Sequence, residues 1–246
     1  DLHVRSRRQR QMCIRDRRTR IDDACRACHR DPDEVSLLPV SKTKPPSMVE
    51  EAYQAGYRLF GENKVQDALA KSELMDADHP GLGWAIIGGL QTNKAKYVAR
   101  FATEFQALDS PKVAHELDKR LQKEGRQLRV LVQVNSSAEP QKSGIAPEEA
   151  IDFAKELAAF DSLDVRGLMT VALNSPDPEA VADCFDVVVG VQEKLRQEVN
   201  EVSDWAELSM GMSGDLEIAV AHGSTQVRIG TDIFGARTDP AEIWRP

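Results

Sequence analysis

The hydrophobic positions of this chain switch between two spacings. Short apolar runs bounded by Gly, Pro or polar clusters predict strands, and longer stretches with apolar residues three and four apart predict helices. The first strand runs from Leu37 into Lys42 and is stopped by Pro45-Pro46. Ser47-Met48-Val49-Glu50 then reads as a capping box with Ser47 as N-cap, opening a helix with Val49, Ala52 and Tyr53 inward and Gly56 at its end. Tyr57 to Phe60 predicts the second strand, and Lys64 to Met75 a helix. Trp84 to Ile87 follows as the third strand, Thr92 to Phe101 as a helix, and Glu104 to Ala107 as the fourth strand. Ser110-Pro111 is a helix start, an N-cap serine with proline at the first helical position, and Val113, Leu117 and Leu121 keep helical spacing up to Gly125. Leu128 to Val134, Leu163 to Met169, Ala206 to Met210 and Gln226 to Ile229 predict the remaining strands. The helices between them open at Pro147, span Asp177 to Val199, and span Asp215 to His222.

Eight strands separated by crossover helices must run parallel. That alternation in a chain of 246 residues predicts an α/β fold, a single TIM-like (β/α)8 barrel without a second domain. A doubly wound open sheet is the alternative, but no GxGxxG follows the first strand. Composition agrees with a globular protein: 41% hydrophobic and 29% charged residues, with no apolar run near the ~20 residues of a membrane span. The basic start carries no apolar h-region, so it is not a secretory signal, and a cytoplasmic protein is expected.

Charge divides the chain unevenly. Residues 1–20 hold eight arginines against Asp1 and Asp16, a net of +6, while the whole chain is −8, so the remainder carries −14. An acidic body does not favour nucleic acid. Arg5 to Arg20 shows no clean apolar periodicity, and residues 1–17 read as a foreign or disordered basic leader to a barrel beginning at Arg18. The cysteines are Cys13, Cys25, Cys28 and Cys184. Cys25-Arg26-Ala27-Cys28-His29 matches the CxxCH haem-attachment pattern, but that chemistry needs export, and no further ligands have zinc spacing. A polar helix that carries two cysteines is the plainer reading.

Candidate chemistry gathers at the C-terminal ends of the strands, the active face of such a barrel. Side chains alternate along a strand, so Leu38, Val40 and Lys42 share a face. Lys42 there is either a paired barrel residue or a reactive amine, since burial lowers a lysine's pKa and a neutral amine forms a Schiff base. After the seventh strand comes Gly211-Met212-Ser213-Gly214-Asp215, and after the eighth Gly230-Thr231. Small residues and hydroxyls in these two places suit a phosphate, although ordinary turns use the same residues. Arg228 shares its strand face with Gln226, and a cation inside a barrel needs acceptors.

Several of these segments together resemble a known family. Val40-Ser41-Lys42-Thr43-Lys44-Pro45, Phe60-Gly61-Glu62-Asn63, Ile87-Gly88-Gly89-Leu90-Gln91-Thr92-Asn93-Lys94, Gly167-Leu168-Met169, Leu208 to Asp215 and Gly223 to Thr231 are similar to the pyridoxal-phosphate homeostasis proteins. The resemblance covers about residues 18 to 237. It implies a barrel like that of alanine racemase, with pyridoxal 5′-phosphate (PLP) as a Schiff base on Lys42. It places the phosphate on Ser213, Gly230 and Thr231, sets Arg228 at the pyridine nitrogen, and adds Asn63, Met212 and Ser224 to the cofactor set. Two departures stand out: the family's histidine after the tryptophan of the third strand is Ala85 here, and of the family's N-terminal helix only the second half, about Arg18 to Arg30, looks native.

Three functions fit such a chain: a protein that stores or delivers PLP, a PLP-dependent amino-acid racemase, and a cofactor-free barrel with an aldolase-type lysine. Racemisation needs an acid/base group on each face of the cofactor. Tyr53 and Tyr97 lie inside helices, and Tyr57 starts a strand at the wrong end of the barrel. Arg228, always protonated, favours a neutral pyridine and a weak electron sink. The expectation is therefore a non-catalytic PLP-homeostasis protein without a metal. It is expected to be a monomer, with apo PLP-dependent enzymes as partners and no nucleic-acid or membrane partner. Lys44, just before Pro45, is expected to be solvated.

Overall fold

The strands are β1 (Ser36–Pro39), β2 (Leu59–Glu62), β3 (Gly83–Ile86), β4 (Glu104–Leu108), β5 (Leu128–Gln133), β6 (Leu163–Met169), β7 (Glu207–Ser209) and β8 (Gln226–Ile229). They pair in parallel in the order β1-β8-β7-β6-β5-β4-β3-β2, and a parallel bridge between Val40 and Gly61 brings the two ends together. The expected (β/α)8 barrel is therefore the fold. The protein is described by a computed structural model over residues 7–139 and 141–236, with side chains from Arg15 onward. No helix among these residues is long and apolar enough to cross a membrane.

Helices α1 (Arg7–Ala27), α2 (Pro46–Gln54), α3 (Val65–Met75), α4 (Ala95–Phe101), α5 (Pro111–Glu124), α6 (Ala150–Leu157), α7 (Pro178–Glu198), α8 (Leu216–Ala221) and α9 (Thr231–Phe234) surround the sheet. Helix α1 is continuous through the boundary expected at residues 17 and 18, while residues 1–6 of that stretch lie outside the described residues. Cys25 of the CxxCH run is fully buried among Ile21, Val35, Val49 and their neighbours, and Cys28 packs at the edge of the same cluster. Ser110 caps α5 as its sequence predicts, accepting from the Val113 N–H, and Gly125 ends that helix in the left-handed region at φ 62°.

The start of α2 differs from expectation. Its N-cap is Pro45 and Pro46 is its first residue, so Ser47 lies inside the helix and caps nothing. The proline fixes φ for a first turn and starts the helix two residues earlier than a Ser47 cap would. Glu50 contacts His79 instead of reaching back. The sequence pattern also missed α9, whose four residues are too few to show a period.

Outward-facing strand residues make the main core. Phe60, Trp84, Val227 and Ile229 pack against α1, α2 and α8, and Phe105, Val130, Val132 and Leu168 against α4 to α7. Full burial of each such side chain stabilises the fold by about 1.5–3 kcal/mol. Trp84 is wholly enclosed, with its indole N–H donating to Asp76 at 2.9 Å.

His79 ties the end of α3 to α2. Its Nδ1 contacts the Met75 carbonyl at 2.6 Å, its Nε2 meets the Glu50 carboxylate, and its ring stands edge-on to Tyr53. Both partners accept, so only the doubly protonated ring satisfies both. The Met75 carbonyl first, and Glu50 after it, hold the imidazolium above its ordinary range. A raised folded pKa contributes stability that is fully present below the unfolded pKa and lost as pH rises through the folded one. Thermal melts of His79→Ala against the native chain across about pH 5 to 8 should show the deficit largest at the acid end and shrinking upward.

Candidate functional site

The turns after β1, β7 and β8 meet at the C-terminal mouth of the barrel around a cavity of about 240 Å³. Val40, Lys42, Thr43 and Lys44 form one wall. Met212, Ser213 and Gly214 come from the turn before α8, Gly230 and Thr231 from the cap and first residue of α9, and Arg228, Ile87 and Gly235 complete the lining.

Strand β1 stops at Pro39, earlier than the sequence suggests, but the face alternation holds as far as Val40. A Cβ on inward-facing Gly61 would meet Val40 at 3.2 Å and Leu38 at 3.4 Å. Lys42 lies in the turn beyond and lines the cavity with Val40. Thr43 follows in the left-handed region at φ 59°, a strained conformation for a β-branched residue. Lys44 is not solvated as expected. It is only 4% exposed, and its ammonium donates to the Ala236 carbonyl. The Lys44 N–H bonds back to Ser41, so the chain turns inward after Lys42 and carries Lys44 under the segment that follows α9.

The turn after β7 is built by its own polar groups. Asp215 accepts from the Met212 N–H at 2.5 Å, and burial pushes its carboxyl up from the usual range. Gly211 has φ 95°. From outside, Arg20 of α1 donates to the Ser213 carbonyl at 3.0 Å and pairs with Glu217 at 2.6 Å, while Arg17 reaches Asp232 at 3.2 Å. Helix α1 thus braces both turns that bear hydroxyls. No sequence pattern pointed to Arg20, because its partners lie almost two hundred residues away.

Arg228 is 5% exposed. Its guanidinium donates to the Ser209 carbonyl at 2.6 Å, the Ser209 hydroxyl at 2.8 Å and the Thr170 carbonyl at 2.6 Å. Burial pushes its pKa down to about 10, so it stays protonated at neutral pH. Below it the barrel interior is polar. The Ser209 hydroxyl donates to Gln106 at 2.7 Å, and the Gln106 amide donates to Gln226 at 2.5 Å and to Glu104. Burial raises the Glu104 carboxyl above its usual range. The signal for this string was present in Glu104-Phe105-Gln106, a strand with its polar residues on one parity.

Of the residues expected around a cofactor, Lys42, Met212, Ser213, Arg228, Gly230 and Thr231 come together on the cavity. Two stand apart from its lining. Ser224 is fully buried and gives its hydroxyl to the Met210 carbonyl at 2.7 Å. Asn63 follows β2 with its side chain exposed, and its carbonyl lies against Gly88, where a Cβ would come within 2.3 Å. Ala85 has the inward parity of cavity-lining Ile87 and is fully buried, so the barrel holds a methyl group at that level.

A parallel barrel with an amine, a guanidinium and two hydroxyls at its C-terminal mouth matches one class of protein. Residues 20–238 fit the family described as alanine racemase, N-terminal domain. Within that class the chain belongs to the pyridoxal phosphate homeostasis protein family. It is 41% identical over 219 residues to the pyridoxal phosphate homeostasis protein of Vibrio cholerae, covering 88% of this chain and 92% of that one. Among solved structures, an unknown protein from Bifidobacterium adolescentis superposes with a TM-score of 0.87 at 31% identity, over 93% of this chain and 95% of that one. PipY of Synechococcus elongatus, solved with PLP bound, superposes with a TM-score of 0.78 at 33% identity, over 87% and 100%.

A Cβ at Gly211 would meet the Ala219 methyl at 2.5 Å on a backbone already at positive φ. Gly211→Ala should therefore destabilise the protein by about 1–3 kcal/mol, read as a lower urea midpoint with an unchanged m-value.

Proposed function

We propose that this protein binds PLP in the cavity at the barrel mouth and holds it for supply within the cell, with little turnover of amino acids. The observation that carries the reading is the convergence of Lys42, Arg228, Ser213 and Thr231 on one cavity. PLP supplies an aldehyde for an amine, a phosphate for hydroxyl and N–H donors, and a pyridine ring that acts as an electron sink. The residues suit such a group. The Thr43 hydroxyl oxygen is buried without a hydrogen-bond partner among the described residues. At Gly230 a Cβ would press to 3.2 Å from the Val40 carbonyl, so glycine keeps the turn close and the cavity clear. PipY, with PLP bound in its structure, and the names of the relatives add support.

In this reading Lys42 is the amine that captures the aldehyde, and Ser213, Gly230 and Thr231 hold the phosphate. Arg228, protonated and fixed by carbonyls, keeps a positive charge at the cavity floor, where a carboxylate would be needed to protonate a pyridine nitrogen. Asn63, Met212 and Ser224 act around this set, Ser224 by holding the turn after β7. None of the three tyrosines lines the cavity, which leaves a racemase without that opposite-face acid/base group. The barrel from Arg18 onward carries the binding, with Arg17 of the preceding stretch supporting the turn at Thr231 through Asp232.

Borohydride treatment of the PLP-loaded protein should leave the cofactor's mass on the peptide containing Lys42, and Lys42→Ala should abolish the label. Mass on Lys44, or an unchanged visible spectrum in Lys42→Ala, would remove Lys42 from its role.

Changing Ser213 and Thr231 together to alanine should weaken PLP by about tenfold or more, as loss of two hydrogen bonds to a charged group implies, while leaving pyridoxal nearly unaffected. Equal weakening of both ligands in equilibrium titrations would assign those turns to another task.

Incubated with L-alanine in heavy water, the loaded protein should take up deuterium at the α-carbon about 10²–10⁴ times more slowly than a racemase with both acid/base groups. Sustained exchange over many turnovers, followed by NMR, would establish the racemase reading instead.

A further inference from the structure

Behind Lys42, on the outer face of the barrel wall, lies an ion pair that takes no part in the cavity. Glu62, the last residue of β2, and Lys71 of α3 are both fully enclosed, with the Lys71 ammonium 2.5 Å from Glu62 Oε1. Both reach the same third residue, Ser41. The Ser41 hydroxyl donates to Glu62 Oε1 at 2.7 Å, and Lys71 donates to the Ser41 carbonyl at 2.8 Å. The Ser41 N–H donates to the Gly61 carbonyl at 3.0 Å, and its carbonyl also accepts from the Lys44 N–H at 3.1 Å. Every polar group of Ser41 is therefore engaged, and the next residue in the chain is Lys42.

Stability alone is a poor account of this pair. A buried ion pair often does no better than an apolar pair of the same size, and this one leaves Glu62 Oε2 without a hydrogen-bond partner among the described residues. Its location suggests another use. Lys42 sits between a fully bonded Ser41 and a Thr43 held at φ 59°. Strained backbone of that kind persists only where the surroundings over-determine it, and it concentrates where a side chain must be aimed. Burial raises the Glu62 carboxyl above its usual range, with Lys71 and Ser41 offsetting part of that rise.

We propose that Glu62 and Lys71 are positioning residues for Lys42: by gripping the hydroxyl and carbonyl of Ser41 they fix the direction in which the lysine leaves the barrel wall. The inference rests on the reading of Lys42 as the amine that captures an aldehyde. It separates two components of binding. Neither Glu62 nor Lys71 bonds to the turns after β7 and β8, although the β8 turn approaches Val40 at Gly230, so the grip on Ser41 should govern capture at Lys42 and leave phosphate recognition alone.

The test compares two ligands on the full chain. Pyridoxine 5′-phosphate carries an alcohol in place of the aldehyde and reports only non-covalent binding. PLP reports capture, as the rate of the absorbance change and as the borohydride-fixed label on Lys42. The variants are Ser41→Ala, which keeps the ion pair, and the double variant Glu62→Gln with Lys71→Met, which leaves no unpaired buried charge. Both should bind pyridoxine 5′-phosphate as the native chain does. Capture of PLP should slow by about tenfold or more in the double variant, the scale set by misplacing a reacting group, and by less in Ser41→Ala. Capture at the native rate in both variants would overturn the positioning role while leaving Lys42 as the capturing amine. Equal loss for both ligands would mean the pair only holds the fold together. A native chain that yields no label on Lys42 would instead sink the reading of Lys42, and this inference with it. If the double variant does not fold, Ser41→Ala decides alone: slowed capture with native binding of pyridoxine 5′-phosphate supports the grip, and native capture refutes it.

Discussion

A guanidinium sealed inside a barrel constrains everything around it. Arg228 has no carboxylate within ion-pair distance among the described residues, so its charge is met by neutral oxygens, chiefly the carbonyls where β6 and β7 end. The Ser209 carbonyl also accepts from the Thr170 N–H at 3.1 Å, so one oxygen serves both the sheet and the cation. The cation thus sits where the sheet runs out, at the level of the cavity. It also dictates what lies beneath. The Ser209 hydroxyl accepts from Arg228 and donates to Gln106, whose amide donates to both Gln226 and Glu104. An apolar interior would have left these groups unpaired, at roughly 1–3 kcal/mol each.

The two sides of the barrel wall consequently do different work. Outward residues of the strands supply the apolar core against the helices, and inward residues supply a polar column under the mouth. Glycine serves the division at Gly61, where the absence of a side chain admits Leu38 and Val40, and at Gly230, where it lets the turn approach Val40. Three turns then reach over the column from β1, β7 and β8. None is held by its own strand alone: Arg20 braces the turn at Ser213, Arg17 reaches the helix after Thr231, and Ser41 is fixed by Glu62 and Lys71.

The candidate site is therefore rigid in its support and modest in its chemistry. A lysine, a cation and two hydroxyls are suited to holding an aldehyde-bearing phosphate. Among the described residues the lining holds neither a tyrosine nor a carboxylate. The relative from Vibrio cholerae carries the name pyridoxal phosphate homeostasis protein.

Much of this was legible in the sequence, because it depends on local patterns. Eight apolar strand runs separated by helical spacing specify a parallel barrel, β6 and β8 have the predicted limits, and the parity of Arg228 with Gln226 follows from strand geometry. The turns carrying Ser213 and Thr231 were visible as glycine-and-hydroxyl segments in consecutive βα units. What the sequence did not carry were pairings between distant segments. Lys44 looks solvated beside a proline, but the chain after α9 covers it. Ser47 and Glu50 spell a capping box, but Pro46 begins the helix first and His79 engages Glu50. Arg20 and the Glu62–Lys71 pair look like ordinary helix or strand polar residues until their partners are brought to them. Local periodicity is written in neighbouring residues and survives in a one-dimensional reading; which polar groups share a buried volume is fixed only when the barrel closes, because only closure removes the water that would otherwise satisfy them.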